Sequence, residues 1–343
     1  VIPVRNEADW IERCLGAVFR QDYPADRIEV IVADGMSTDG TYEWLEDFAK
    51  AEPRLRVLRN PARIVPSSLN LAINAARGEV IARIDGHTLV APDYISTGID
   101  ALRRTRGDNV GGPMVKIGGG PVGDAISVAM SSRFGIGSQF QFAREEVQTD
   151  TVYLGMWPRA VFDRVGMFDE ELVRNQDDEF NYRIRKHGGR IILSPAMRSR
   201  YQNRQSWRKL GRQFFEYGVW KARVLQKHPR QMSVRHFVPP AFDLGVLLGL
   251  MLSPIWGPAL PLVAGAVCAY VAVIGAVALR HTRTPGAWAR LCLALAVIHH
   301  AWGIGFLVGM VRFGPRWFKP ERNERMPDWQ SATRNALEEE SKP

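Results

Sequence analysis

Cysteine is nearly absent from this chain of 343 residues, and so are several familiar motifs. Only Cys14, Cys268 and Cys292 occur, two of them in apolar surroundings. No disulfide framework is in prospect, and a reducing compartment suits the polar part of the chain. The glycines at 118–120 precede no Gly-Lys-Ser/Thr, which excludes a P-loop and leaves a plain loop as the reading. No signal-type segment opens the chain. Val1 already lies in an apolar strand, and we expect a few native residues ahead of it. Acid is scarce between Arg198 and Arg235, where Glu216 stands alone, and charge is missing altogether from 259–279.

What is present divides unevenly. Residues 1 to about 236 are mixed in character, whereas 244–311 are apolar with few charges. The net charge of +9 is concentrated in 198–235, where eleven Lys or Arg are interleaved with Tyr201, Trp207, Phe214, Phe215, Tyr217 and Trp220. Because this stretch runs directly into apolar segments, we read it as an amphipathic helix on an anionic membrane surface. Binding of nucleic acid is the weaker use of the same residues.

One stretch organises the rest. Val80-Ile81-Ala82-Arg83-Ile84 ends abruptly in Asp85-Gly86-His87. An apolar run without alternation suits a central strand covered on both faces, and open α/β sheets bind ligands at such strand ends. Asp85 and His87 can both reach one divalent ion, and Gly86 leaves room for a ligand near the backbone. Before this run, strand and helix alternate. Val1–Val4 leads to a helix through Ile11, Leu15 and Val18, and a strand at 28–33 ends in Asp34-Gly35-Met36-Ser37-Thr38-Asp39. Asp34 is placed for a base N–H or ribose hydroxyls, and Asp39 to cap the helix near Thr41. A strand at 55–58, a helix opened by Ser67 or Ser68, a helix after Pro92 and a strand at 109–117 continue the alternation, which predicts a doubly wound α/β sheet. Periodicity fades over 135–151, a candidate lid or binding segment. A helix beginning at Gln176-Asp177-Asp178-Glu179 follows. Its acids suit the helix dipole, and clustered carboxylates also raise one another's pKa, as a general base requires.

Four motifs in order resemble family 2 glycosyltransferases of the GT-A fold over roughly residues 1–220. They are Val-Ile-Pro-Val-Arg-Asn-Glu at the start, Val32–Thr41, the Ala76–Ile81 lead into Asp85-Gly86-His87, and Val165–Glu170 followed by Gln176–Glu179. The fold class implied is α/β, a Rossmann-like mixed sheet, followed by C-terminal transmembrane helices. The resemblance implies an inverting transfer of a hexose from a UDP-sugar, with a divalent metal, Mg²⁺ or Mn²⁺, as cofactor. Asp177 would be the catalytic base. Pro3, Asn6, Glu7, Asp34, Arg63, Asp85 and Gly86 would hold the nucleotide sugar, Asp85 and His87 the metal, and Trp157, Arg159 and Asp178 the acceptor. His87 stands where the family usually has Asp, and Gln176 where it has Glu. The 202–207 stretch lacks the signature of processive synthases, so one sugar per visit is expected. The Asp-Gly-His and Asn-Gln-Asp-Asp-Glu strings are most similar to succinoglycan-type exopolysaccharide transferases. These imply glucose as the sugar, a polyprenyl-diphosphate-linked saccharide as acceptor, and polysaccharide assembly proteins as partners.

Ala259–Leu279 and Leu291–Val311 are each long enough to span a bilayer, and Leu244–Ser253 is short enough to be interfacial, re-entrant or a strained span. With two spans the basic tail lies on the cytoplasmic side, which its larger positive count favours. His299 and His300 read as neutral histidines packed between helices, and 338–343 as a disordered end. The domains expected are 1–197 catalytic, 198–236 membrane-interface, 237–311 membrane region and 312–343 polar tail, with the catalytic part on the cytoplasmic face of a bacterial inner membrane. Two other readings compete with this one. A nucleotidyltransferase needs a glycine-rich loop where Arg5-Asn6-Glu7-Ala8-Asp9 stands, and a non-catalytic polyanion-binding scaffold would use only 198–235.

Overall fold

A computed structural model describes residues 1–135, 143–202 and 205–317. In chain order the elements are β1 (Ile2–Val4), α1 (Ile11–Phe19), β2 (Val30–Asp34), α2 (Thr41–Ala51), β3 (Leu55–Arg59), α3 (Val65–Ala75), β4 (Val80–Ala82), β5 (Thr88–Val90) and α4 (Tyr94–Thr105). They continue through β6 (Asn109–Gly112), β7 (Met114–Ile117), α5 (Gly120–Ser131), β8 (Val147–Gln148), β9 (Tyr153–Pro158), α6 (Ala160–Val165), α7 (Gln176–Lys186), β10 (Ile191–Leu193) and β11 (Ser199–Gln202). Four long helices follow: α8 (Trp207–Lys227), α9 (Val238–Leu252), α10 (Ala259–Leu279) and α11 (Pro285–Arg312).

Parallel β1, β2 and β3 form the first sheet, with β2 between the others and buried along its whole length. Such a strand needs helices on both faces, as the apolar run at 30–33 requires. The main-chain nitrogen of Val1 donates to Ala82 O (2.8 Å), and Ile84 N donates to Val1 O (3.1 Å). These two bonds extend the sheet from β1 to the 80–84 run. From there β4 pairs antiparallel with β9, and the order continues through β6 and β10 to β8. The strand expected over 109–117 is broken at Pro113, which has no N–H to donate. Its halves serve different sheets, since β7 joins β11 and β5 in a small third one. This is the mixed α/β architecture expected.

Two cores lie on the sheet. One gathers Ile2, Leu15, Val32, Leu45, Ile84, Tyr94 and Met156; the other gathers Leu69, Ile81, Trp157, Phe162, Phe168 and Phe180. A third joins Ile126 and Ala129 of α5, Leu210 and Phe214 of α8, and Ile274, Leu291, Leu295 and Ile298 of α10 and α11. The glycines at 118 and 119 do form a loop, but Gly120 already opens α5, a helix not anticipated.

Only part of the basic stretch is the expected helix: Ser199–Gln202 is β11, the helix runs over Trp207–Lys227, and it does not lie apart from the catalytic unit. α8 runs alongside α11 at backbone contact: a Cβ added to Gly218 would lie 2.3 Å from Trp302 O, and one added to Gly305 would lie 2.2 Å from Phe215 O. Lys221 and Arg223 of α8 are buried. α10 and α11 are long and apolar enough to cross a membrane. α9 begins earlier than expected, with Pro239 and Pro240 in its first turn, yet its 15 residues are too short for a bilayer core of about 30 Å. Leu247, Met251, Ile255, Leu260, Leu262 and Val271 leave exposed apolar side chains along α9, α10 and their connection, as a membrane-facing or partner-facing surface does. His299 bridges Tyr270 Oη (3.0 Å) and Phe134 O (2.9 Å), while His300 has a carboxylate partner, Asp243 (2.6 Å), that the sequence did not suggest. The centre of the 135–151 loop, positions 203 and 204 of the processivity comparison, and the tail beyond Trp317 lie outside the described residues.

Candidate active site

The first three strands end side by side, and just beyond each the chain turns left-handed: Asn6 has φ 56°, Met36 60° and Arg63 60°. Positive φ is uncommon for residues other than glycine and persists only where neighbours fix it. Asn6 is fixed from both sides. Its N–H donates to Ser37 Oγ (2.8 Å), and its Oδ1 accepts from Thr38 N (2.9 Å). Asp34 is fully buried, and its carboxylate accepts from Ser37 N (3.0 Å) and from the Ser37 hydroxyl. Asp39 accepts from Thr41 N (3.1 Å) and from Ala8 N (3.1 Å), the capping expected of it plus a link to the β1 turn. Burial would raise the Asp39 carboxyl, but these donors outweigh it and hold it below its ordinary value. Pro3 is buried within β1 beside Ala33, and Arg63 is exposed, its carbonyl accepting from Arg5 (3.3 Å).

Asp85, Gly86 and His87 follow the β4 run as expected. Asp85 Oδ1 accepts from Arg83 Nε (2.8 Å), and His87 Nδ1 meets Glu7 Oε1 at 2.9 Å. The space at Gly86 is not open to a ligand: a Cβ there would lie 2.8 Å from Val4 Cγ1, so the glycine serves the packing of this turn on β1. Below it, the buried Cys14 thiol contacts Asp85 O at 3.5 Å, and burial pushes its pKa up to about 12. Cys14 is therefore a neutral donor and no nucleophile. Arg83 was missed in the sequence, although an arginine interrupting an apolar run was the available signal. It is 7% exposed. Burial works against its charge, but Asp85 and then Asp177 outweigh that and raise its pKa.

On the other side, α7 presents Asp177. Asn175 precedes the helix at φ 63°, its Nδ2 donating to Tyr217 O (3.0 Å), and Asp177 is exposed in the first turn with Oδ1 accepting from Asp178 N (2.9 Å). Of the three residues expected to bind the acceptor, Trp157 and Arg159 need correction. Trp157 is 2% exposed and packs edge-on against Phe162, Phe168 and Phe180, because β9 is covered on both faces. Arg159 donates to Gly78 O (2.9 Å) and to Ala76 O, closing the end of α3. Asp178 accepts from Lys221 and from Gln231 Nε2 (2.8 Å). Mutual elevation of carboxyl pKa values is not what this cluster does at Asp178 or Glu179. Burial raises both, but Lys221 for Asp178, and His228 with Arg183 for Glu179, hold them below the usual range.

No three His, Cys, Asp or Glu side chains among the described residues converge closely enough to hold a metal ion by themselves. Asp85 and His87 supply two donors at one strand end. That set fits a divalent ion which draws its remaining ligands from a bound diphosphate and water.

A row of strand ends with strained turns, a carboxylate and imidazole at its middle and an exposed carboxylate opening α7 is the arrangement of an α/β protein whose ligands bind across the sheet edge. The family model for glycosyl transferase family 2 matches residues 1–166. The succinoglycan biosynthesis protein ExoA of Rhizobium meliloti is 30% identical over 329 residues, 92% of this chain and 96% of that one. A dolichyl N-acetyl-α-D-glucosaminyl phosphate 3-β-D-2,3-diacetamido-2,3-dideoxy-β-D-glucuronosyltransferase of Methanococcus voltae is 28% identical, covering 66% of this chain and 73% of that one. Among solved structures, the mannosyltransferase PcManGT of Pyrobaculum calidifontis, in complex with GDP-Man and Mn²⁺, aligns with TM-score 0.57 at 22% identity over 89% of this chain and 85% of that one. TarS 1–349 of S. aureus with UDP aligns at TM-score 0.52 and 18% identity, covering 92% and 90%. The chain belongs to glycosyltransferase family 2. It is a transferase with the GT-A fold.

Proposed function

We propose that this enzyme moves a hexosyl group, glucose first among the candidates, from a UDP-sugar to a polyprenyl-diphosphate-linked saccharide during exopolysaccharide synthesis, with inversion and one sugar per visit. The observation that carries this reading is Arg83, whose guanidinium is held by Asp85 and also feels Asp177. Donor-side and base-side carboxylates therefore both act electrostatically on one buried cation. Relatives that act in succinoglycan biosynthesis and on a dolichyl-linked sugar support a lipid-linked acceptor.

The donor would lie across the ends of β1, β2 and the 80–87 run, its base by the Asp34–Ser37 turn and its diphosphate toward Asp85 and His87. A divalent ion held by Asp85 and His87 would offset charge on the departing diphosphate. Asp177 takes the proton from the acceptor hydroxyl as that oxygen attacks the anomeric carbon from the opposite face. Arg83 keeps Asp85 oriented and adds positive charge between the two carboxylates. Glu7 fixes the His87 ring through Nδ1. α10 and α11 would anchor the chain as two spans in a bacterial inner membrane, with the catalytic part and the tail cytoplasmic.

The test is transfer of labelled sugar into the lipid extract of membranes carrying the protein, with UDP-glucose, UDP-galactose, UDP-GlcNAc and GDP-mannose, with and without Mn²⁺ or Mg²⁺. We expect metal-dependent label from a UDP-hexose, reduced by about 100-fold or more in Asp177→Asn. Label from GDP-mannose alone would overturn the donor, and label undiminished by Asp177→Asn would overturn the base.

A further inference from the structure

The segment that presents Asp177 is held from outside the sheet. Arg174 Nη2 reaches Glu216 (3.0 Å), Asn175 Nδ2 donates to Tyr217 O (3.0 Å), Lys221 pairs with Asp178, Arg223 Nε pairs with Glu171 (2.8 Å), and His228 Nε2 meets Glu179 (2.9 Å). Every partner lies on α8 or the residue after it, 42–52 residues further along the chain. Two of the contacts bracket the base. Asn175 stands two residues before Asp177, left-handed and tied to an α8 carbonyl, and Asp178 follows directly, tied to an α8 ammonium that is 4% exposed.

We propose that α8 aims the catalytic base: Lys221, acting through Asp178, and the Tyr217 carbonyl, acting through Asn175, are positioning groups for Asp177. This rests on the assignment of Asp177 as base. Lys221 is too buried to meet an acceptor, and its ammonium would be an uncompensated buried charge without Asp178. The pair also spares Asp177 the field of a bare anion next to it, with Arg185 and His236 as the other charged or titratable groups acting on Asp178. Burial, with Lys221 and Arg235, lowers His236 to about 4, so His236 is neutral at working pH and Lys221 is the main compensating charge. α8 is in turn fixed by the glycine contacts with α11, so the aim of the base is referred to the apolar helices as well as to the sheet on which Phe180 of α7 packs.

The experiment uses the full chain in membranes, with UDP-sugar and native acceptor lipid, and separates kcat from donor KM. Lys221→Met is expected to lower kcat by about 30-fold with donor KM unchanged within about twofold, since a shift of the base near 1 Å has effects of that order. Lys221→Arg should recover most of the loss. Asn175→Gly tolerates the positive φ while deleting the amide contact, and should lower kcat by about fivefold, again without change in KM. Wild-type kcat in Lys221→Met or in Asn175→Gly overturns the positioning role. So does a Lys221→Met defect that raises KM as much as it lowers kcat and is not rescued by arginine. Should Lys221→Met fail to accumulate, Asn175→Gly decides alone. Asp177→Asn assayed beside them separates the two readings: full turnover there removes the base itself, whereas loss there with full turnover in the α8 variants removes only the positioning.

Discussion

The two sides of the site are built by opposite means. On the donor side, Asp34 serves Ser37 and Asp39 serves Thr41, contacts three and two residues long, and the turns of β1 and β2 are laced together over about thirty residues. On the acceptor side, the 169–179 segment depends on partners 42–58 residues away on a helix outside the sheet. The same residue type behaves differently in each. Asp34 is wholly buried and neutral donors satisfy it, while Asp169, Glu171 and Asp178 are satisfied by cations of α8. One side can form as soon as its own βα units fold; the other exists only when two distant parts have met.

The largest test of this contrast is Gly305→Ala. Its Cβ would fall 2.2 Å from Phe215 O, a backbone atom that cannot step aside, so α8 and α11 must separate at a cost of about 3 kcal/mol or more. Transfer should be lost while binding of a fluorescent UDP analogue survives; loss of both would erase the distinction between the sides. Next comes Asp34→Ala, which strands the buried Ser37 N–H and hydroxyl and should cost about 2–3 kcal/mol. Here nucleotide binding should fail first, read by the same analogue.

Glu171→Gln is a smaller effect with a pH signature. Burial would raise this carboxyl, but Arg223 and Lys227 outweigh it and hold it at about 2, against an ordinary 4.5. A depressed folded-state pKa gives stability that is complete above 4.5 and is lost as pH falls toward 2. With about a third of the side chain in solvent, the loss at pH 7 should be about 1–2 kcal/mol. Unfolding of the detergent-solubilised protein, followed from pH 7 downward, should show wild type and variant converging over that window. The smallest effect is Asp39→Asn, which keeps an acceptor for Thr41 N and weakens the link to Ala8; a change of about 0.5–1 kcal/mol is expected from denaturant midpoints.

This contrast also governs what could be read from the sequence. The apolar runs placed β1 to β4, and Asp34, Asp85 and His87 fell at strand ends because a run that stops at a carboxylate marks its own end. The place of Asp177 in the first turn of α7 was legible for the same local reason, an acid cluster opening a helix. Trp157 and Arg159 were misassigned because their chemistry suits an acceptor site, while nothing in the sequence says that β9 is covered on both faces. The basic stretch was legible as a helix but not as a clamp. Periodicity exposes a face without naming what that face meets, and the acids it meets lie far upstream. Arg83 could have been found, since a cation inside a buried strand must have an anion beside it.

The glycine-lined contact of α8 with α11 sets an order of events during synthesis. α11 is made after α9 and α10, so α8 leaves the ribosome without the surface that fixes it. The strand ends of the proposed donor site are complete by then, while Asp177, the proposed base, has no settled direction. On the proposed reading, a nascent or truncated chain ending before α11 would thus hold its sugar nucleotide without passing the sugar on, and would become competent only once α11 is in place.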